Sequence, residues 1–182
     1  RHMVDVPITE IIYCAPETSY PDLSECRVPI RFLDCLPDKR LIEDKQPRLI
    51  VIDDLMRESS DESVIDLFTK NSHHLSASVV FICQNIFYKG KAQRDISLNS
   101  HYMCIFKNPR DRRQFSTLSG QVCPQNAAYM SEIFEDATSV PYGYLILDLT
   151  QTTPDHLRYR TNIFPDDKPS NIVYVPKNFV VV

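Results

Sequence analysis

Residues 48–54 read RLIVIDD, and this stretch decides the fold that the sequence predicts. Four consecutive apolar residues, mostly β-branched, indicate a strand that is buried on both faces, as in a parallel sheet. Other apolar runs of strand length lie along the chain at residues 8–14, 28–33, 77–83, 101–106 and 142–149, with a last candidate strand at Tyr174 and Val175.

Helical patterns alternate with these runs. Residues 59–62 (SSDE) favour a helix start, and the apolar spacing from Val64 to Phe68 predicts a helix that ends near residues 70–73. Two more helical patterns cover 111–119 and 125–136. Strands alternating with helices predict an α/β domain with a mainly parallel sheet and flanking helices.

The composition fits one globular domain. The chain has 182 residues, of which 43% are hydrophobic and 24% charged, and this excludes collagen, coiled coil and general disorder. We expect a single domain over residues 4–182 with an extended, Pro-rich C-terminal segment, and residues 1–3 resemble an expression scar. The net charge of −4 excludes a polycation but allows a local basic patch.

The glycine content excludes a phosphate-binding loop within this chain. There are three glycines, and only Gly90 is followed by lysine, but residue 85 is Asn and residue 92 is Ala. The pattern G-x-x-x-x-G-K-[ST] is therefore absent, as is the dinucleotide fingerprint G-x-G-x-x-G.

The cysteines and the absence of long apolar runs indicate where the protein works. None of the six cysteines forms a C-x-x-C pair, which argues against structural zinc and for free thiols in a reducing, intracellular compartment. No run of about 18 apolar residues or signal-peptide pattern occurs, so we expect no membrane partner.

Polar residues close two of the predicted strands. Asp53 and Asp54 give the first strand the form of a Walker B segment, in which carboxylates hold Mg²⁺ through water and orient the attacking water. Gln84 closes the next strand, where an amide can sense a γ-phosphate or position a water. Two simpler interpretations stay open: an Asp-Asp pair that makes a turn or helix cap, and a glutamine that only ends a strand.

Basic residues cluster after the strand at 101–106. Arginine suits phosphate recognition, although such clusters commonly form a solvated face, and Asp111 partly neutralises this one. His73 and His74 favour a helix-end pair near solvent over a metal site. The basic residues are Lys107, Arg110, Arg112 and Arg113, with Lys89, Lys91 and Arg94 upstream.

Several strings follow one another in a characteristic order: LIVIDDLM (49–56), VFICQNIF (80–87), ISLNSHY (96–102), FKNPRD (106–111) and RTNIFP (160–165). In this order they resemble the packaging ATPases of Maverick/Polinton transposons and the related adintoviruses. These enzymes are a branch of the FtsK–HerA superfamily. The resemblance covers nearly the whole chain, and it implies a P-loop NTPase-like fold of the RecA/ASCE type.

The resemblance also implies roles for individual residues. Asp53 would be the Walker B carboxylate for Mg²⁺, and Asp54 the catalytic acidic residue. Gln84 would be the polar sensor. Residues 111–113 resemble the D-x-R pattern of the trans-acting arginine finger, with Arg113 as first choice and Arg110 as second.

The complete protein is expected to be a ring oligomer that uses ATP and Mg²⁺ to move double-stranded DNA. Lys89, Lys91 and Arg94 are the candidates for contacts with DNA phosphates. The nucleus or a viral assembly site would be its location. The isolated chain is expected to bind no cofactor and to self-associate.

This chain departs from the family at the P-loop. Family members carry it upstream of the segment that corresponds to residues 8–14. Its strand lies inside the sheet, between the strand that ends at Gln84 and the strand at 101–106. We therefore expect this chain to be the truncated part that follows the P-loop, unable to hydrolyse ATP alone, with open sheet edges that need a partner.

Two alternatives belong to other functional classes. The first is a non-catalytic remnant that acts as a structural or oligomerising interaction protein. The second is a DNA-binding module that uses residues 107–113, against which the net charge of −4 argues.

Overall fold

A computed structural model gives the architecture of two compact units, Arg1–Asn99 and Ser100–Val182. The prediction of one domain over residues 4–182 stays a prediction. The structure describes residues 7–53, 55, 62–68, 76–87 and 91–176. The predicted helix start at residues 59–61 and the His73-His74 pair lie outside them.

The first unit contains a four-stranded parallel sheet in the order β2-β1-β3-β4. Two helices, α1 (Glu62–Asp66) and α2 (Lys91–Asn99), accompany it. The predicted mixed α/β class with a parallel sheet and flanking helices is confirmed. The strands are β1 (Glu10–Cys14), β2 (Ile30–Leu33), β3 (Arg48–Asp53) and β4 (Ala77–Ile82).

Strand β3 lies inside this sheet and is buried on both faces, as its sequence predicts. Ile50 and Ile52 are fully buried on one face. Val51 is buried on the opposite face, where it packs with Tyr13 and Ala15. The first face is covered by residues that include Val64 of α1, Leu67 directly after it, and Ile96 of α2.

Strand β4 is exposed where the sequence predicts burial. It pairs with β3, with Val80 opposite Val51 and Ile82 opposite Asp53. On its other side no strand of the described part of the chain pairs with it. Val80 is 42% exposed and Ile82 45% exposed on one face of β4, although both belong to an apolar run.

The second unit contains an antiparallel sheet in the order β5-β6-β7-β8. The expected mainly parallel arrangement is therefore wrong for these strands. In this described part of the chain, two helices, α3 (Arg113–Val122) and α4 (Ala127–Ala137), lie between β5 and β6. The strands are β5 (Tyr102–Phe106), β6 (Tyr144–Asp148), β7 (Tyr159–Thr161) and β8 (Ile172–Val173).

Helices α3 and α4 form a packed pair. Phe115, near the start of α3, stacks on Phe134, near the end of α4, with ring centroids 3.9 Å apart. Asn126 caps α4 by accepting a hydrogen bond from the backbone N–H of Tyr129. Within the residues described, no helix is long and apolar enough to cross a membrane.

An ionic network ties together the starts of the parallel strands. The Nε atom of Arg48, at the start of β3, donates to Glu10 Oε2 of β1 at 2.8 Å. The other guanidinium nitrogens of Arg48 donate to both carboxylate oxygens of Asp44. Arg31 of β2 pairs with Oε1 of the same Glu10 at 2.8 Å. The arginines differ in burial, because the side chain of Arg48 is 9% exposed and that of Arg31 51%.

This difference predicts unequal effects of removing the two arginines. Arg48→Met leaves Glu10, whose side chain is only 16% exposed, without its buried partner, and should lower the free energy of unfolding by about 2–3 kcal/mol. Arg31→Met is the matched control and should cost less than about 1 kcal/mol, since its pair is solvated. Urea unfolding followed by circular dichroism measures both losses, and equal losses would contradict the assignment.

Candidate functional site

The candidate site lies at the carboxyl edge of the parallel sheet. Asp53 is the last residue of β3 and is partly buried. Because all four strands are parallel, their carboxyl ends meet at one edge. Ligands of open α/β sheets bind beyond this edge, so the structure places Asp53 where a ligand would be bound.

Asp53 is held by a residue that the sequence analysis missed. The hydroxyl of Tyr13 donates a hydrogen bond to Asp53 Oδ2 at 2.7 Å. Tyr13 pairs with Val51 in the sheet, and Asp53 lies two residues beyond Val51 on the same face. A tyrosine just before the end of an otherwise aliphatic strand was the available signal.

The Tyr13 hydroxyl is a permanent donor. Burial, together with the hydrogen bond to the Asp53 carboxylate and its charge, raises the pKa of Tyr13 to about 12. The phenol therefore keeps its proton throughout the physiological pH range. Among the residues that the structure describes, no hydrogen bond reaches the other oxygen, Oδ1.

Gln84 lies near the same edge. It follows the end of β4 by two residues, and Ile82 of β4 is paired with Asp53. The side chain of Gln84 is exposed and has interactions of its own. The structure thus places Asp53 and Gln84 after neighbouring strands, as the sequence predicts, whereas Asp54 lies outside the described residues.

The candidate arginines belong to the second unit. Arg110, Arg112 and Arg113 are exposed in the turn after β5 and at the start of α3. Asp111 does not pair with their guanidinium groups. Its Oδ1 accepts from the backbone N–H of Arg113 at 3.2 Å, and its Oδ2 accepts from Gln114 Nε2 at 3.1 Å.

The side chains of Arg110 and Arg113 are exposed to solvent. Across the described ranges, neither Arg110 nor Arg113 forms an ion pair. A cation in the first turn of a helix also opposes the helix dipole, which costs about 0.3–1 kcal/mol. Stability of α3 alone does not account for Arg113.

The predicted DNA contacts are only partly described. Lys91 begins α2, and Arg94 is exposed on the same helix, on which Ile96 faces the core. Lys107 is exposed directly after β5. Lys89 lies outside the described residues.

Asp53 is the candidate ligand for Mg²⁺ at this edge. No group of three or more His, Cys, Asp or Glu side chains that could hold a metal occurs in the part of the chain that is described. Mg²⁺ in nucleotide sites needs only one or two carboxylates, because water and substrate phosphates complete its shell. Asp53 supplies one such carboxylate at the carboxyl edge of the sheet.

A groove of about 550 Å³ lies elsewhere in the first unit, next to β2. Its walls come from residues 21–24, 26–30 and 32, and are mostly apolar. Neither Asp53 nor Gln84 contributes to it. The groove therefore does not belong to the candidate site.

No protein-family model, curated protein or solved structure matches this chain.

The site predicts that this chain alone binds MgATP negligibly. Asp53 can accept a hydrogen bond from a metal-bound water. The sequence, however, has no glycine-rich loop whose N–H groups could hold the phosphates. Calorimetric titration should give a dissociation constant weaker than about 1 mM, equivalent to about −4 kcal/mol, and Asp53→Ala should not change it. Micromolar binding by the unsubstituted chain would contradict this prediction.

Proposed function

We propose that this chain is the part of a DNA-packaging or DNA-translocating ATPase that follows the P-loop, with a core of the RecA/ASCE type. The observation that carries the proposal is Asp53 at the carboxyl end of an internal strand, next to an edge strand with an open side. In the family that the chain resembles, the Walker B carboxylate also ends an internal strand, and one strand separates it from the strand that carries the P-loop.

The open side of β4 supports the proposal independently of Asp53. Natural edge strands are protected by charged residues, prolines or covering segments. The sequence of β4, ASVVFI, contains neither charge nor proline, and Val80 and Ile82 are exposed. Such a strand is suited to pair with a further strand rather than to end a sheet.

The same property occurs at a second strand. β5 ends the antiparallel sheet, and no described strand pairs with its outer side. It exposes Tyr102 and Phe106 and carries neither charge nor proline. In the family that the chain resembles, the Walker A strand lies between the two strands that correspond to β4 and β5. β4 and β5, which this proposal requires to be open, are thus two of the four strands that end the described sheets.

The residues would divide the work of hydrolysis among them. Mg²⁺ bound with ATP neutralises charge on the phosphates. Asp53 would hold a metal-bound water through Oδ1, and Gln84 would sense the γ-phosphate or orient the attacking water. Asp54 would accept the proton of that water. Arg113 of a neighbouring subunit, with Arg110 as the second candidate, would stabilise the charge that develops on the transferred phosphoryl group.

The DNA contacts form the least developed part of the proposal. Arg94 is exposed on α2, and Lys91 begins the same helix. With Lys89, these side chains would contact phosphates without reading sequence, and binding would weaken steeply with added salt.

A non-catalytic oligomer is the second candidate function. The exposed apolar residues of β4 favour it, because the open edge can pair with a second copy of the chain instead of a nucleotide-binding strand. Under this alternative the carboxylate of Asp53 has no chemical role, and the two candidates are separated by substitution at that residue.

The test uses the complete protein from the source gene, including any sequence that precedes Val4. Asp53→Asn should lower the rate of ATP hydrolysis at least about 1,000-fold, because the isosteric amide lacks the negative charge that the metal requires. Arg113→Ala should lower the rate by about 1,000-fold or more, whereas Arg112→Ala, its exposed neighbour, is the control with little effect.

Mixed rings distinguish a finger that acts in trans from one that acts within a subunit. Combining Asp53→Asn subunits with Arg113→Ala subunits should restore part of the hydrolysis, because some interfaces then contain an intact carboxylate and an intact arginine. A complete protein that hydrolyses no ATP, or a source gene without a P-loop segment, would favour the non-catalytic oligomer. Full hydrolysis by Asp53→Asn rings would contradict the role of Asp53.

A further inference from the structure

We propose that Tyr13 is a positioning residue for the metal-binding carboxylate: its phenol holds Oδ2 of Asp53 and leaves Oδ1 as the oxygen for a hydrated Mg²⁺. This inference rests on the proposed function, since it assigns Asp53 to a metal. It adds a residue from a different strand, 40 positions away in sequence.

The phenol ring is itself fixed. Tyr13 is 8% exposed and packs with Ala15 and Val51 on one face of the sheet. The ring of Phe32, from β2, lies 5.8 Å from the Tyr13 ring between centroids. Side chains from two neighbouring strands, β2 and β3, together with Ala15 therefore restrict the ring, and the hydroxyl is held at the carboxyl edge.

A carboxylate at a strand end needs such a restraint. The terminal torsion of an aspartate side chain has a broad, roughly two-fold energy profile, so its two oxygens exchange easily. A donor at 2.7 Å on Oδ2 selects one orientation before any ligand arrives. Groups that orient metal-binding carboxylates in this way commonly contribute 10- to 100-fold to metal affinity or activity.

The chain offers a matched control. Tyr20 belongs to the same aromatic cluster, with its ring 4.6 Å from that of Phe32 between centroids. Among the described residues, no hydrogen bond joins its hydroxyl to Asp53, whose donor is Tyr13. Tyr20→Phe removes the same atom from the same cluster without touching the candidate site.

The experiment compares Tyr13→Phe and Tyr20→Phe in the complete protein. Electron paramagnetic resonance measures the affinity for Mn²⁺ in the presence of a non-hydrolysable ATP analogue, and thermal melting measures stability. Tyr13→Phe should weaken Mn²⁺ binding about tenfold, and excess Mg²⁺ should restore most of the lost hydrolysis rate. Tyr20→Phe should leave metal affinity unchanged.

Two outcomes would overturn the role of Tyr13 alone. One is an unchanged Mn²⁺ affinity with a lowered melting temperature, which is the result for a purely structural tyrosine. The other is tighter Mn²⁺ binding, which would mean that the phenol competes with the metal for the carboxylate.

Asp53→Asn, measured in parallel, separates this inference from the function on which it rests. If Asp53→Asn abolishes Mn²⁺ binding while Tyr13→Phe has no effect, only the positioning role fails. If Asp53→Asn also has no effect, the metal assignment fails, and the role of Tyr13 fails with it.

Discussion

The burial of β3 on both faces is the constraint from which the first unit takes its form. Ile50 and Ile52 on one side and Val51 on the other are withdrawn from water, and each contributes roughly 2 kcal/mol in apolar transfer free energy. This burial requires a paired strand on each side and covering side chains above and below. β1 and β4 supply the pairing, and Asp53 is consequently presented at the end of an internal strand.

The same constraint does not extend to β4. Val79 and Phe81 of β4 pack against the core that buries β3. Val80 and Ile82, on the opposite face, are exposed, and the strand carries no protective charge. The structure therefore contains a strand whose composition belongs inside a sheet and whose position is at the end of one. We propose that a further strand pairs at this place. Under the proposed function, that strand is the one that carries the P-loop.

Much of the first unit could be predicted from sequence because its strands are continuous runs of β-branched residues, of which β3 is the strongest. The pairing direction of β5 and β6 could not, since it depends on the two helices between them rather than on either strand. α2 was missed because its apolar stripe is sparse: Ile96 is buried, but Leu98 is exposed. Of the site, the positions of Asp53 and Gln84 follow from the ends of apolar runs. The hydrogen bond from Tyr13 joins residues 40 positions apart, so the tyrosine in β1 does not by itself point to Asp53.

We propose that the outer edge of β4 pairs with a further strand, the one that carries the P-loop in the complete protein. Amide hydrogen exchange of residues 77–82, measured in this chain alone and in the complete protein from the source gene, tests it most directly. The amides of β4 that point away from β3 should exchange rapidly in the isolated chain. In the complete protein the same amides should be protected. Equal protection in both would mean that the edge is already covered, and would contradict the account.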